Sequence, residues 1–306
     1  MSDQAAHANS TAQLFRSVRA ARAWVQSGID QIENSPATGC VAMKPGEGGP
    51  PVFMIPGAAG SILQVAPIVM AMTVPVPIYA VKPRGLEQGE TPCASLAEMA
   101  EHAVGVMTKA HPEGPYLLVG YSAGGLVALE AARQLVAAGR DVPLVVLLDT
   151  YPSRETWPFW CHVEILVRQA FRALWAIRRL ALRHVMDDVA RRLRSLLLYL
   201  TASGLKLVTP PALVAEGSDA ASRRVHLATY NAGEAYRPQP YPGRVVFVQP
   251  EFIPNLEPRA PRGVWGRFLS DLETRRVPGS HLGMLDEGAA SVAAEISRCL
   301  AEVQRW

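Results

Sequence analysis

From Pro51 onward the chain alternates short apolar runs with longer amphipathic ones. Val52-Phe53-Met54-Ile55, Ile78-Tyr79-Ala80-Val81, Tyr116-Leu117-Leu118-Val119 and Leu144-Val145-Val146-Leu147-Leu148 are apolar throughout, the pattern of strands buried on both faces. Helices are predicted between them, near 62–72, 95–110 and 123–138. Strand, helix and strand in repetition imply a parallel sheet with right-handed crossovers. The alternation stops over 152 to about 205, where the pattern is helical and offers no strand. It resumes at Val245-Val246-Phe247-Val248 and Thr274-Arg275-Arg276-Val277, before a closing helix near 287–304. The expected fold is α/β, a mostly parallel sheet flanked by helices, with a helical insertion at about 152–230.

Residues 1–50 differ. Leu14, Phe15, Val18, Ala21, Val25, Ile29 and Ile32 recur at helical spacing, and a Ser/Gly/Pro-rich passage from Ser35 to Pro51 reads as a linker. An N-terminal helix and linker over 1–50, followed by one domain over 51–306, is the expected division. The helix either packs on the body or docks a partner protein.

Composition narrows the class. With 49% hydrophobic and 19% charged residues among 306, general disorder is excluded. A net charge of +3 makes no case for nucleic acid without a localised basic patch. Cys40, Cys93, Cys161 and Cys299 lie far apart, with no Cys-x-x-Cys pair, so neither a metal site nor a disulfide framework is indicated. The polar start Met1-Ser2-Asp3-Gln4 lacks a secretory pattern. The long apolar stretch Phe159–Leu182 carries a charge every few positions, so it does not read as a membrane span. A cytoplasmic protein is expected.

The chemistry centres on Gly120-Tyr121-Ser122-Ala123-Gly124, which fits G-x-S-x-G between a predicted strand and a predicted helix. A serine on so sharp a turn has strained backbone, and side chains two positions to either side would collide, which calls for glycine at both. The turn exposes Ser122 Oγ and leaves the Ala123 N–H at a helix N-terminus, available to a developing oxyanion. Such a serine needs a base and a group to orient it. Of seven histidines, His281 alone follows a late strand, at the sheet edge where the serine also lies. Asp149, directly after the run 144–148, is the expected acid, with Glu251 after 245–248 as its rival. The second oxyanion donor is sought in Ile55-Pro56-Gly57-Ala58-Ala59-Gly60-Ser61, at the N–H of Ala58.

Together these residues resemble the thioesterase domains of polyketide and non-ribosomal peptide synthases, a branch of the α/β-hydrolase fold. Val81-Lys82-Pro83-Arg84-Gly85-Leu86, Pro112–Leu118, Leu147–Pro152 and Tyr236–Gly243 look like that family as well. The resemblance implies an acyl or peptidyl chain carried as a thioester on the phosphopantetheine of a carrier protein, with no cofactor or metal bound by the chain itself. It favours Asp149 over Glu251. Ser122 would take the acyl group, and water or an internal nucleophile would release it. Residues 1–50 are too short to hold a carrier domain and contain no Asp-Ser-Leu attachment motif, so the carrier is expected on a separate chain. Leu282 stands where the family often has an aromatic residue.

In that family the insertion forms a lid. Here Trp157–Lys206 holds nine Lys and Arg against three Asp and Glu. Arg168, Arg172, Arg179 and Arg183 fall on one helical face, expected to dock an acidic carrier, a solvated face being the plainer alternative. Adsorption to an anionic membrane surface is a further option that Trp160, Phe171 and Trp175 admit. The leading function is a serine thioesterase. Transfer of the chain to an amine or alcohol, general carboxylester hydrolysis and a non-catalytic carrier-binding module are the alternatives.

Overall fold

The computed structural model describes residues 39–179, 219–253 and 257–303. The helix read from Leu14 to Ile32 lies outside them, as does the insertion from 180 to 218. Among the described residues seven strands form one sheet: β1 (Cys40–Lys44), β2 (Val52–Ile55), β3 (Ile78–Val81), β4 (Leu117–Tyr121), β5 (Leu144–Leu148), β6 (Tyr241–Phe252) and β7 (Leu269–Ser280), in the order β1-β3-β2-β4-β5-β6-β7. β1 is antiparallel to β3 and every other pair is parallel.

The central strands are buried along their whole length because helices cover both faces. Period-two alternation splits their side chains between two cores. Phe53, Ile55, Leu118, Val145, Leu147 and Phe247 meet α2 (Leu96–Ala110) and α3 (Ala123–Ala137) on one face. Met54, Val119, Val146, Leu148 and Val248 meet α1 (Ala66–Ala71) and α7 (Ala289–Val303) on the other. α2 starts on a Ser-x-x-Glu cap: Ser95 Oγ accepts from the Glu98 N–H at 3.2 Å, and Glu98 reaches back to the Ala94 N–H at 3.0 Å. Of the insertion, α4 (Phe159–Arg179) and α5 (Ala220–Ala235) are described, and α6 (Pro261–Trp265) lies between β6 and β7.

Two expectations need correction. The stretch Ser35–Pro51 is not all linker, since Cys40–Lys44 is the edge strand β1 and its Cys40, Val41 and Met43 are buried. Gly39 and the Pro45–Pro51 passage hide a five-residue strand between turn formers. The sheet body therefore begins at Cys40 rather than Pro51. β6 and β7 are also three times the length that their apolar centres suggest. Pro242 and Pro250 interrupt the pattern of β6, and the ladder absorbs them at register shifts near both.

β7 is an edge strand, which explains how it holds two adjacent arginines. Arg275 turns toward α7, where it meets Glu302 at 2.8 Å and Glu295 at 3.4 Å. Its neighbour Arg276 points to the opposite face. Replacing Arg275, whose side chain is 11% exposed, takes one partner from Glu302, Glu295 and Glu273, while Arg244 still pairs with Glu302 and Glu273 and Arg298 with Glu295. Arg275→Met is expected to cost about 1–3 kcal/mol in urea denaturation, and adding Glu302→Gln, which also removes the Arg244 partner, should recover none of that loss.

Candidate active site

β4 ends at Tyr121 and α3 begins at Ala123, so a single residue turns the chain. Ser122 does so at φ 53°, ψ −125°. Among the described residues only Ser122 and Asp149 carry a side chain at positive φ, Asp149 at 46°. Such conformations persist only where their surroundings enforce them. The Ser122 N–H donates to Leu148 O at 2.9 Å, Thr150 Oγ1 donates to Ser122 O at 3.0 Å, and the Asp149 N–H donates to Val248 O at 2.9 Å.

The glycines of the motif answer to specific neighbours. A Cβ on Gly120 would lie 2.4 Å from Gly124 O, one on Gly124 would lie 2.2 Å from Pro56 O, and one on Gly125 would lie 2.0 Å from Thr150 Oγ1. The collision expected at Gly124 is therefore with the loop after β2. That close approach sets the two expected donor N–H groups on neighbouring backbone. Ala123 is the first residue of α3, where an N–H has no acceptor within the helix. Ala58 sits in the turn closed by the Gly60 N–H donating to Gly57 O at 2.9 Å.

Asp149 and His281 meet directly. Asp149 Oδ2 lies 2.7 Å from His281 Nδ1, with the acid side chain 3% exposed and the imidazole 34%. With Nδ1 committed, Nε2 is the nitrogen left to exchange a proton. Tyr121, which the motif leaves unspecified, is bound to the same histidine. Its hydroxyl donates to His281 O at 2.9 Å and its ring stacks on the imidazole at 4.9 Å between centroids. The residue before the serine thus holds the loop that carries the histidine.

Glu251, the rival acid, is exposed and lines an arginine-rich pocket instead. The carboxyl that the β6–α6 loop does bring inward is Glu257, which sequence reasoning missed. The signal lay in the right loop, six residues further along. Its Oε2 is buried without a hydrogen-bond partner. The Tyr151 hydroxyl donates to the neighbouring Pro258 O at 3.4 Å, which ties this segment to the chain just after Asp149. Burial, aided by the charge of Asp149 and opposed by His281 and Arg154, pushes the Glu257 carboxyl up to about 7.

A small apolar pocket, part of it open to solvent, adjoins the donor loop. Gly57 and Gly124 border it, and Cys93, Met99, Val127 and Val225 line it. Of the four arginines expected to dock a carrier, Arg172 is exposed, whereas Arg168 is turned in and only 12% exposed. Arg179 closes α4, and Arg183 lies outside the described residues. All four cysteines are free and buried. Among the described residues no cluster of three His, Cys, Asp or Glu is placed to hold a metal, and no helix is long and apolar enough to cross a membrane.

Residues 50–172 match the family model described as Thioesterase domain. Over that stretch the chain is similar to thioesterase domains. The match takes in Ala58, the turn at Ser122, and Asp149, and His281 lies beyond it. The atromentin synthetase of Tapinella panuoides is 34% identical to the chain over 102 residues, 33% of this chain and 11% of that protein. A dimodular nonribosomal peptide synthase of Bacillus subtilis (strain 168) is 36% identical over 104 residues, 34% of this chain and 4% of its own length. The chain thus spans about a tenth or less of either synthase. Among solved structures, the NocB thioesterase domain in covalent complex with a fluorophosphonate nocardicin G analog superposes with a TM-score of 0.56. It is 25% identical, over 83% of this chain and 95% of that one. The sheet described above is accordingly the α/β-hydrolase fold of thioesterase domains.

The raised Glu257 carboxyl makes a signed prediction. Between its ordinary value of 4.5 and about 7, the folded protein keeps a proton that the unfolded chain has released. Stability from this group is complete below 4.5 and is lost as pH rises through 7. Glu257→Gln should therefore raise Tm relative to the parent at pH 8 and make little difference at pH 4.5, as read by thermal melts across that range.

Proposed function

We propose that this protein is a serine thioesterase that releases an acyl or peptidyl chain from the phosphopantetheine arm of a carrier protein. The observation that carries the reading is the 2.7 Å Asp149–His281 contact, anchored through Tyr121 to the strained turn at Ser122. His281 Nε2 takes the Ser122 hydroxyl proton as Oγ attacks the thioester carbonyl. Asp149 keeps the imidazole in the tautomer that accepts this proton and stabilises the imidazolium. The N–H groups of Ala58 and Ala123 bind the oxyanion. Collapse expels the arm's thiolate, which takes the proton back from His281 and leaves an acyl-serine. Water, or a hydroxyl or amine within the chain itself, then attacks the acyl-serine with His281 again as base. The first gives hydrolysis and the second cyclisation.

The apolar pocket beside Gly57 and Gly124 suits the acyl chain, because it opens next to the two proposed oxyanion donors. Exposed Arg172 suits an acidic carrier surface. The relatives named above are a synthase-type setting in which such carriers act, and a cytoplasmic place of work agrees with that chemistry. Transfer of the chain to an external amine or alcohol needs the same residues and differs only in the acceptor.

Ser122→Ala is expected to abolish both acyl-enzyme formation and labelling by a fluorophosphonate probe, and His281→Ala should do nearly the same. Asp149→Asn should lower kcat by about 10⁴, measured on pantetheine thioesters. A parent protein that never reacts with the probe is a binding module instead. Mass spectrometry of the products separates hydrolysis, cyclisation and transfer.

A further inference from the structure

A second pocket lies between α4 and the C-terminal ends of β6 and β7. Arg168, Arg172, Arg259 and Arg276 line it, together with Glu251 and Ile253. Four guanidinium groups from three separate segments converge there on one carboxylate. Among the described residues, the guanidinium groups of Arg172, Arg259 and Arg276 take part in no ion pair. Arg168 is the deepest of the four. It donates to Glu257 O at 2.6 Å and has Glu164 at 3.6 Å, but its Nε is buried with no acceptor. Burial and the charges of Arg259 and Arg172 disfavour its charged form, against the pull of Glu164. A buried donor without an acceptor, beside three cations that form no ion pair among the described residues, is an arrangement suited to an anion.

The chemistry of the lining selects the ligand. Guanidinium forks match the oxygens of a phosphate, and a group with several oxygens can engage more than one fork. A lone carboxylate would leave most of this charge unanswered. The pocket also adjoins the candidate active site through one residue. Glu257 gives its carbonyl to Arg168, while its carboxyl feels the charges of Asp149 and His281.

We propose that this arginine pocket binds the phosphate of the pantetheine arm, and so holds the thioester's carrier end while the acyl end reaches Ser122. The identity of the ligand rests on the thioesterase reading, and the pocket's taste for phosphate does not. Arg276 then has a role distinct from that of Arg275, one facing the ligand and the other α7. Arg172 serves as a phosphate ligand on the face proposed to meet the carrier.

The test is a titration of phosphopantetheine and of pantetheine into the full chain, by calorimetry. Phosphopantetheine is expected to bind about tenfold tighter. The exposed-site variants Arg172→Gln and Arg276→Gln should erase that advantage and leave pantetheine binding unchanged. Equal affinity for the two compounds in the parent overturns the proposal, as does an advantage that survives both substitutions together. Coenzyme A is the arm that distinguishes sources. Binding at least tenfold tighter than phosphopantetheine assigns the pocket to free coenzyme A thioesters, and similar or weaker binding assigns it to the carrier's arm. Turnover separates the two readings. A chain that discriminates by phosphate but cleaves no pantetheine thioester keeps the pocket and loses the thioesterase reading. One that cleaves such thioesters without discriminating does the reverse.

Discussion

The ends of β4 and β5 are clamped to each other, and the whole site depends on that clamp. Ser122 and Asp149 both stand in backbone conformations that cost on the order of 1–3 kcal/mol each, and neither is stable by itself. Leu148 O accepts the Ser122 N–H, Thr150 Oγ1 caps Ser122 O, and Val248 O accepts the Asp149 N–H. Each strained residue is held by groups next to the other one or on the adjoining strand. Parallel pairing makes this feasible, because it brings the C-terminal ends of β4, β5 and β6 to one edge in register.

Charge is distributed around that edge in two zones that share Glu257. On the inner side lie Asp149, His281 and the Glu257 carboxyl, which burial and Asp149 together keep from ionising in the ordinary range. On the outer side lie the four arginines and Glu251. The raised carboxyl of Glu257 feels the charge of His281, but the carboxylate in contact with the imidazole is Asp149. The loop from β6 to α6 thus serves both zones through one residue, its carbonyl outward and its acid inward.

How much of this was legible in the sequence follows from which interactions are local. The turn at Ser122 was legible because its glycines, strand and helix are consecutive, and the spacing alone states the steric demand. Asp149 and His281 were legible from their place after apolar runs, since parallel strands deliver such residues to one edge. β1 was not, because five residues between turn formers bury their apolar side chains only against β3, to which Cys40 pairs at Val81 and Lys44 at Ile78. Glu257 was not, because nothing in its neighbours says that it is buried. The arginines of α4 looked equivalent on a helical wheel, yet Arg168 is inward and Arg172 outward once β6 and the 257–259 segment pack against the helix.

By itself, then, the sequence determined the alternation of strands and helices, the strained serine turn and the order in which its partners appear. These follow from hydrophobic periodicity and from sterics within a few residues. Only the tertiary structure decided the rest. It matched Gly124 to Pro56, set Tyr121 against His281, placed the Glu257 carboxyl where it feels the charges of Asp149 and His281, and gathered arginines from α4, β7 and the β6–α6 loop around one pocket. Those are contacts between segments tens to more than a hundred residues apart, and their energies depend on burial and charge that no local pattern records.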